Sequence, residues 1–175
     1  MLTPAAVAMR LVLVLSKPIG TGLTLAAGSD ADKAAAIAGM KTLNRVAAES
    51  LRALGDGVHA VTDVTGYGLA GHSWEMAERS GVRAVIDTSE IVAYPGALEA
   101  ANGGMRTGGD PRNREYLAGH LDTTAAPGPE ALCFDPQTSG GLLAAVTPAT
   151  AEALLTQGFW QVGIVEAGEP GVTLR

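Results

Sequence analysis

An aspartate followed by a glycine-rich turn is the stretch of this sequence best suited to chemistry. In VTDVTGYGLAGH (61–72), alternating apolar residues run into Asp63, and a loop with several glycines follows. A carboxylate at the end of a strand is the kind of hard oxygen ligand that Mg²⁺ prefers. A turn that leads into a helix directs backbone N–H groups at an anion. The stretch therefore predicts a metal site beside a phosphate, with Asp63 as the Mg²⁺ ligand.

The residues around Asp63 predict the anion-binding part of this site. Threonine hydroxyls and the flexible backbone of glycine both suit contact with phosphate oxygens. The predicted anion-binding residues of this stretch are Thr62, Thr65, Gly66 and Gly68. A simpler interpretation stays open, in which Asp63 only caps the helix that follows.

A second loop of small residues, DPQTSGG (135–141), stands before another apolar run. It could present hydroxyl and N–H groups to the same anion, although a glycine turn in a hairpin explains it equally well. Its predicted anion-binding residues are Thr138, Ser139, Gly140 and Gly141. KPIGTG (17–22) is a third such loop, and there we interpret Lys17 as a solvated lysine at the end of a strand.

The glycines of residues 66–71 also match the dinucleotide pattern G-x-G-x-x-G, and Asp87 ends the next strand, where a ribose-binding acid is expected. In such a site, however, the strand runs straight into the first glycine. Here Asp63 intervenes, and a bare carboxylate beside a pyrophosphate is repelled by about 4 kcal/mol per charge pair. A cation between them removes this conflict. The sequence therefore favours the metal site and keeps an NAD-binding domain of the Rossmann type as the weaker alternative.

The other reactive side chains predict structure rather than chemistry. Cys133 lies in the apolar run ALCF (131–134), which predicts a buried thiol in a strand. The three histidines have no metal-ligand spacing, and we predict that His72 lies on a helix surface. Asn44 and Arg45, on a long predicted helix, are expected to face a neighbouring element rather than water.

The elements that position these loops predict an α+β fold. Apolar runs predict strands at 11–16, 58–64, 82–87, 131–134, 142–146, 160–167 and 172–175. Helical spacing and capping residues predict helices at 30–54, 68–79 and 148–158, with short ones inside 95–104 and 107–122. We expect a mixed α/β sandwich in which helices pack on a mixed sheet of about five to seven strands.

Length and composition limit the class of protein. The 175 residues suit a single domain spanning 1–175, and 47% of them are hydrophobic. A net charge of −6 argues against binding to nucleic acid or to a membrane surface. The single cysteine cannot form an internal disulfide, so a reducing compartment, the cytoplasm, is expected.

Together these motifs resemble the C-terminal domain of selenophosphate synthetase (selenide, water dikinase), in the superfamily of aminoimidazole ribonucleotide synthetase. The segments that resemble it, between about residue 11 and 165, are LSKPIGTG, MKTLNRVAAE, AVTDVTGYGLAGHSWEMAERSGV, TGGDPRNREYLAGH and DPQTSGGLL. The resemblance implies an enzyme that converts ATP, selenide and water into selenophosphate, AMP and phosphate. It also implies that Asp63 is a Mg²⁺ ligand beside the phosphates of ATP.

The same resemblance implies parts that this sequence lacks. The family's N-terminal domain supplies a reactive cysteine or selenocysteine, further metal-binding aspartates, most of the ATP site and the contacts of a homodimer. We therefore expect this chain to need an N-terminal domain, in cis or in trans, and to make no selenophosphate alone. The alternatives are one half of a split enzyme and a stand-alone, non-catalytic module that binds a nucleotide or an anion.

Overall fold

The computed structural model describes residues 10–175, so the first nine residues of the predicted single domain lie outside the described part. Within that part, the strands are β1 (Val12–Leu15), β2 (Val58–Asp63), β3 (Arg83–Ile86), β4 (Leu121–Thr123), β5 (Leu142–Val146), β6 (Trp160–Glu166) and β7 (Gly171–Leu174). The helices are α1 (Thr21–Ala27), α2 (Asp30–Lys41), α3 (Arg45–Ala53), α4 (Gly68–Ser80), α5 (Ala97–Asn102), α6 (Asp110–Tyr116), α7 (Pro127–Phe134) and α8 (Pro148–Leu155). From residue 10 onward, no helix has both the length and the apolar composition needed to cross a lipid bilayer.

All seven strands form one sheet in the order β2-β5-β1-β6-β3-β7-β4. The pairs among β2, β5, β1, β6 and β3 are antiparallel, whereas β7 lies parallel to both of its neighbours. The predicted mixed sheet is therefore confirmed, with a strand number at the upper end of the expected range.

Helices cover both faces of this sheet because the central strand is apolar on both sides. Leu13 and Leu15 of β1 point into the larger core, which α1, α4, α5 and α7 complete. Val12 and Val14 point to the opposite face and pack with α3 and α8. Side chains alternate between the two faces along a strand, so a fully buried strand needs a helical layer on each side. The predicted sandwich is confirmed.

The single helix predicted over 30–54 is wrong, because the chain breaks between α2 and α3. Thr42 has an extended backbone, and Leu43, which the helical spacing placed on the buried stripe, is 74% exposed. The break turns Asn44 so that its Nδ2 donates a hydrogen bond to the carbonyl of Gly140, at 2.8 Å. The expectation that this pair faces a neighbouring element is confirmed for Asn44 and wrong for Arg45, whose side chain is 79% exposed and pairs with Glu49 on the same helix.

The strand predicted for ALCF (131–134) is also wrong, because these residues form the end of α7. Pro127 begins this helix at a position where a missing N–H costs nothing. Four consecutive apolar residues show no periodicity, so they fit a buried helix as well as a buried strand. Cys133 is fully buried as expected, and burial raises the pKa of its thiol to about 12.

The elements α1 and β4 were not predicted.

The topology contradicts the NAD-binding alternative. A dinucleotide fold needs the strand before the glycine loop and the next strand to be parallel neighbours. Here β2 lies at one edge of the sheet, and β5, β1 and β6 separate it from β3. Asp87 at the end of β3 accepts hydrogen bonds from Ser89 instead.

Candidate functional site

The two loops that the sequence assigned to one site lie side by side. Asp63, the last residue of β2, pairs with Leu142, the first residue of β5. One residue further on, the N–H of Val64 donates to the carbonyl of Gly141 at 2.9 Å. The antiparallel pairing of β2 and β5 therefore joins the end of TDVTG directly to the end of DPQTSGG.

Gln137 attaches the third loop, KPIGTG, to the same place. Its buried side-chain oxygen accepts hydrogen bonds from the N–H groups of Gly20, at 2.9 Å, and Thr21, at 3.1 Å. Its Nε2 donates to the carbonyl of Asp135 at 2.7 Å. The sequence analysis missed Gln137, because a glutamine in a polar turn is usually solvated. The only available signal was its position between loops of small residues.

Lys17 is buried, so the prediction of a solvated lysine is wrong. Its side chain is shielded at the meeting point of the loops, and the residue is only 7% exposed. The Nζ atom donates to the carbonyl of Thr42 at 2.6 Å and to the carbonyl of Ser139 at 2.9 Å. Burial lowers the pKa of this ammonium group. Lys17 thus links the break after α2 to the TSGG turn.

Helix α6 supports the glycine loop from behind. The buried Asn113 donates from Nδ2 to the carbonyls of Gly66 and Phe134, both at 2.9 Å. Next to it, Arg114 forms ion pairs with Asp110 and Glu130. Asn113 was not among the predicted site residues. It belongs to the segment TGGDPRNREYLAGH, and its hydrogen bond to Gly66 holds that segment against the glycine loop.

The buried glycines of the predicted site allow close backbone packing. Gly68 has a positive φ of 72°, and a Cβ there would lie 2.6 Å from the carbonyl oxygen of Cys133. Its N–H already donates to the carbonyl of Thr65 at 3.0 Å, so that group is not free for a ligand. A Cβ on Gly140 would lie 2.1 Å from the carbonyl oxygen of Val64. Any anion contacts of these glycines remain a prediction.

The polar groups left open to solvent are those suited to a ligand. Asp63, Thr138 and Ser139 are exposed, and Thr62 and Thr65 are half-buried. Among residues 10–175, no group of three or more His, Cys, Asp or Glu side chains is placed to hold a metal ion. Asp63 therefore fits one position of a Mg²⁺ coordination shell, and the remaining ligands must be water, phosphate or groups from elsewhere.

His72 is buried, so its predicted place on a helix surface is wrong. Its Nε2 lies 3.1 Å from Oγ1 of Thr65, and its Nδ1 lies 2.9 Å from Oε2 of Glu75. The first turn of α4 brings the ring under the glycine loop, where the ring of Tyr67 meets it edge-on with centroids 6.0 Å apart.

Asp135 makes the stability of the site depend on pH. Burial raises the pKa of its carboxyl from 3.8 to about 6, although hydrogen bonds from Gly22 and Gln137 oppose the rise. The folded chain therefore binds this proton more tightly than the unfolded chain does. We expect the contribution of Asp135 to the free energy of unfolding to fall by up to about 3 kcal/mol as the pH rises from about 4 to above 6.

This prediction is tested by urea unfolding of the wild type and Asp135→Asn across that pH range. The difference between the two proteins isolates Asp135 from other titrating groups. Asp56→Asn, at an exposed turn before β2, is the matched control and should follow the wild type. Parallel curves for the wild type and Asp135→Asn would contradict the assignment.

The amino-acid sequence matches a known protein family over nearly all of its length. The model of the family described as AIR synthase related protein, C-terminal domain, matches residues 11–174. The chain belongs to this family. It is 43% identical over 152 residues to a selenide, water dikinase of Pelobacter propionicus, a match that covers 82% of this chain and 42% of the relative. It is 37% identical over 175 residues to that of Pseudomonas straminea, covering 92% of this chain and 48% of the relative. The chain thus spans less than half the length of these relatives, and the predicted resemblance is confirmed.

Two solved structures share the fold. Thiamine-monophosphate kinase from Stenotrophomonas maltophilia matches with a TM-score of 0.62 and 19% identity, covering 94% of this chain and 49% of that one. The hydrogenase maturation protein HypE matches with a TM-score of 0.60 and 17% identity, covering 98% and 51%. At these identities the likeness concerns the architecture, and it confirms the predicted fold class.

Proposed function

We propose that this chain works as the C-terminal domain of a selenophosphate synthetase, which forms selenophosphate, AMP and phosphate from ATP, selenide and water. The observation that supports this most strongly is the pairing of Asp63 with Leu142, which brings TDVTG and DPQTSGG to one end of the sheet. The relatives named selenide, water dikinase support the choice of reaction. The cytoplasm is the proposed location.

In this proposal Asp63 supplies one ligand to a Mg²⁺ ion that accompanies ATP. Such an ion, when bound, neutralises the charge of phosphates and so assists phosphoryl transfer. The exposed hydroxyls of Thr138 and Ser139, near the end of the loop, are proposed to contact phosphate oxygens. Thr62 and Gly66, on either side of Asp63, are proposed to border the same anion.

The remaining metal ligands and most of the ATP site are proposed to come from the family's N-terminal domain, in cis or in trans. Two apolar features beside the loops suit such a docking. Leu43 and Val46 are 74% and 73% exposed and flank Asn44, which bonds to Gly140. Strand β2 is an edge strand, and its Val61 is 46% exposed close to Asp63. Exposed apolar side chains and open strand edges are typical of contact surfaces.

These apolar features favour half of an enzyme over a stand-alone nucleotide-binding module, which would be expected to cover them with polar groups. The proposed N-terminal domain would also carry the contacts of a homodimer. No role for nucleic acid or a membrane is proposed.

The proposal is tested by ³¹P NMR of reactions that contain ATP, selenide and Mg²⁺. We expect no selenophosphate from the 175-residue chain alone, because residues 10–175 bring together no group of three or more side chains able to hold a metal ion. We expect selenophosphate and AMP when the chain acts with the N-terminal half of the enzyme, fused or added separately. Product from the chain alone would contradict the proposed need for the N-terminal half. Absence of product from the complete enzyme would contradict the proposed function. The intact mass of the endogenous protein tells which form to assay.

A further inference from the structure

A chain of three hydrogen-bonded side chains runs from the end of β2 into α4. Thr65 Oγ1 contacts Nε2 of His72 at 3.1 Å, and Nδ1 of His72 contacts Oε2 of Glu75 at 2.9 Å. The imidazole side chain is only 8% exposed, whereas that of Glu75 is 27% exposed. A polar relay with a buried centre is uncommon unless each member is held by the next.

The carboxylate fixes the direction of the hydrogen bonds. An ionised glutamate only accepts hydrogen bonds, so Nδ1 of His72 must carry the proton that faces Glu75. In a neutral imidazole the other nitrogen, Nε2, is then an acceptor. The donor to Nε2 must then be the hydroxyl of Thr65, so its single proton is engaged in the hydrogen bond to His72.

The consequence concerns what Thr65 offers to the site. With its proton directed at His72, Oγ1 presents only lone pairs to the outside. Val64 is fully buried, whereas Asp63 is exposed and Thr65 is half-buried. Side chains two residues apart on an extended chain lie on the same side, so Thr65 is expected on the side of Asp63. Two oxygen acceptors on one side of the chain suit a hard cation or its bound water, and they repel a bare phosphate oxygen.

We propose that His72 and Glu75 are positioning residues that hold the hydroxyl of Thr65 as an acceptor, so that Thr65 and Asp63 form one cation-binding edge. This rests on the Mg²⁺ role proposed above and refines it. Thr65 is assigned to the cation or to its water, and it reaches phosphate only through them. The assignment differs from the sequence prediction, in which Thr65 contacts the anion directly.

The first test needs no metal. In ¹⁵N-histidine NMR spectra of the chain at mildly alkaline pH, we expect His72 to be the neutral tautomer protonated at Nδ1. Glu75→Gln, at the partly exposed end of the relay, should raise the share of the Nε2-protonated form. A wild-type ring protonated at Nε2 would overturn the inference, because Thr65 would then be free to donate.

The second test measures the affinity for Mn²⁺, used as a paramagnetic substitute for Mg²⁺, by the EPR signal of the free ion in the presence of the complete enzyme. Thr65→Val and His72→Asn should each weaken binding by about 10-fold, as loss of supporting groups at metal sites does. Thr65→Ser keeps the hydroxyl and should retain most of the wild-type affinity for Mn²⁺. Circular dichroism of each variant shows whether it is folded.

The outcomes separate this inference from the proposed function. If Asp63→Asn weakens Mn²⁺ binding while Thr65→Val and folded His72→Asn do not, the relay has no part in cation binding and the inference is wrong. If Asp63→Asn has no effect either, the Mg²⁺ role proposed for Asp63 is wrong, and so is this inference. A loss in Thr65→Val that Thr65→Ser restores supports the inference.

Discussion

Replacing Asp63 with asparagine is expected to lower selenophosphate formation by the complete enzyme by about 10²-fold or more. The amide keeps the size of the side chain but removes the negative charge that is proposed to hold Mg²⁺. A bound metal ion contributes several kcal/mol to charge stabilisation in such reactions, and each 1.36 kcal/mol corresponds to about tenfold in rate. The measurement is kcat at saturating ATP, followed by AMP release.

The fold should tolerate this change. Asp63 is exposed, and no ion pair within residues 10–175 involves it. Its replacement should therefore alter the free energy of unfolding by no more than about 0.5 kcal/mol. Asp56→Asn, in the exposed turn before the same strand, is the matched control and should retain full activity. An Asp63→Asn enzyme with nearly normal kcat would remove Asp63 from the metal site.

Gln137→Ala is expected to destabilise the chain by about 3–5 kcal/mol. The side-chain oxygen of Gln137 accepts from two backbone N–H groups and is within 3.2 Å of the hydroxyl of Thr21. Its Nε2 donates to the carbonyl and the carboxylate of Asp135. Alanine removes the partner of the Gly20 and Thr21 N–H groups and of the Asp135 carbonyl, and each buried group left unpaired costs about 1–3 kcal/mol. The measurement is urea unfolding, with the midpoint lowered and the slope unchanged.

The neighbouring Thr138 provides a control for this prediction. Its side chain is exposed, and it enters the loop network through its backbone N–H, which donates to Thr21 at 3.0 Å. Thr138→Ala should therefore change stability by about 0.5 kcal/mol or less. Equal effects of the two substitutions would show that the Gln137 network is not what joins the loops.

Local patterns predicted most of the strands. β1 and β5 are fully apolar because both of their faces are covered, whereas the edge strand β2 mixes apolar and polar residues and contains no buried one. The position of Asp63 between a strand and a glycine loop could be predicted because it depends on neighbours in sequence. The same reasoning failed for α7, whose apolar end has no periodicity to separate helix from strand.

The contacts that assemble the site could not be predicted, because their partners are distant in sequence. The buried Lys17 donates hydrogen bonds to the carbonyls of Thr42 and Ser139. Nothing near Lys17 in the sequence signals either of these partners. The break after α2 has the same origin, since the bond from Asn44 to Gly140 replaces helix continuity. His72 is buried by a loop that folds over it. In each case long-range packing overrides a local preference.

The position of β1 has a consequence for how the protein is made. The first described strand, β1, lies in the interior of the sheet between β5 and β6, which are synthesised long after it. Until they emerge, a fully apolar strand has neither of its partners. Pairing of segments far apart in sequence is slow, and unpaired strands promote aggregation during that delay. We therefore expect folding of the sheet to wait for β5 and β6, and nascent chains that stop before β5 to be substrates for chaperones.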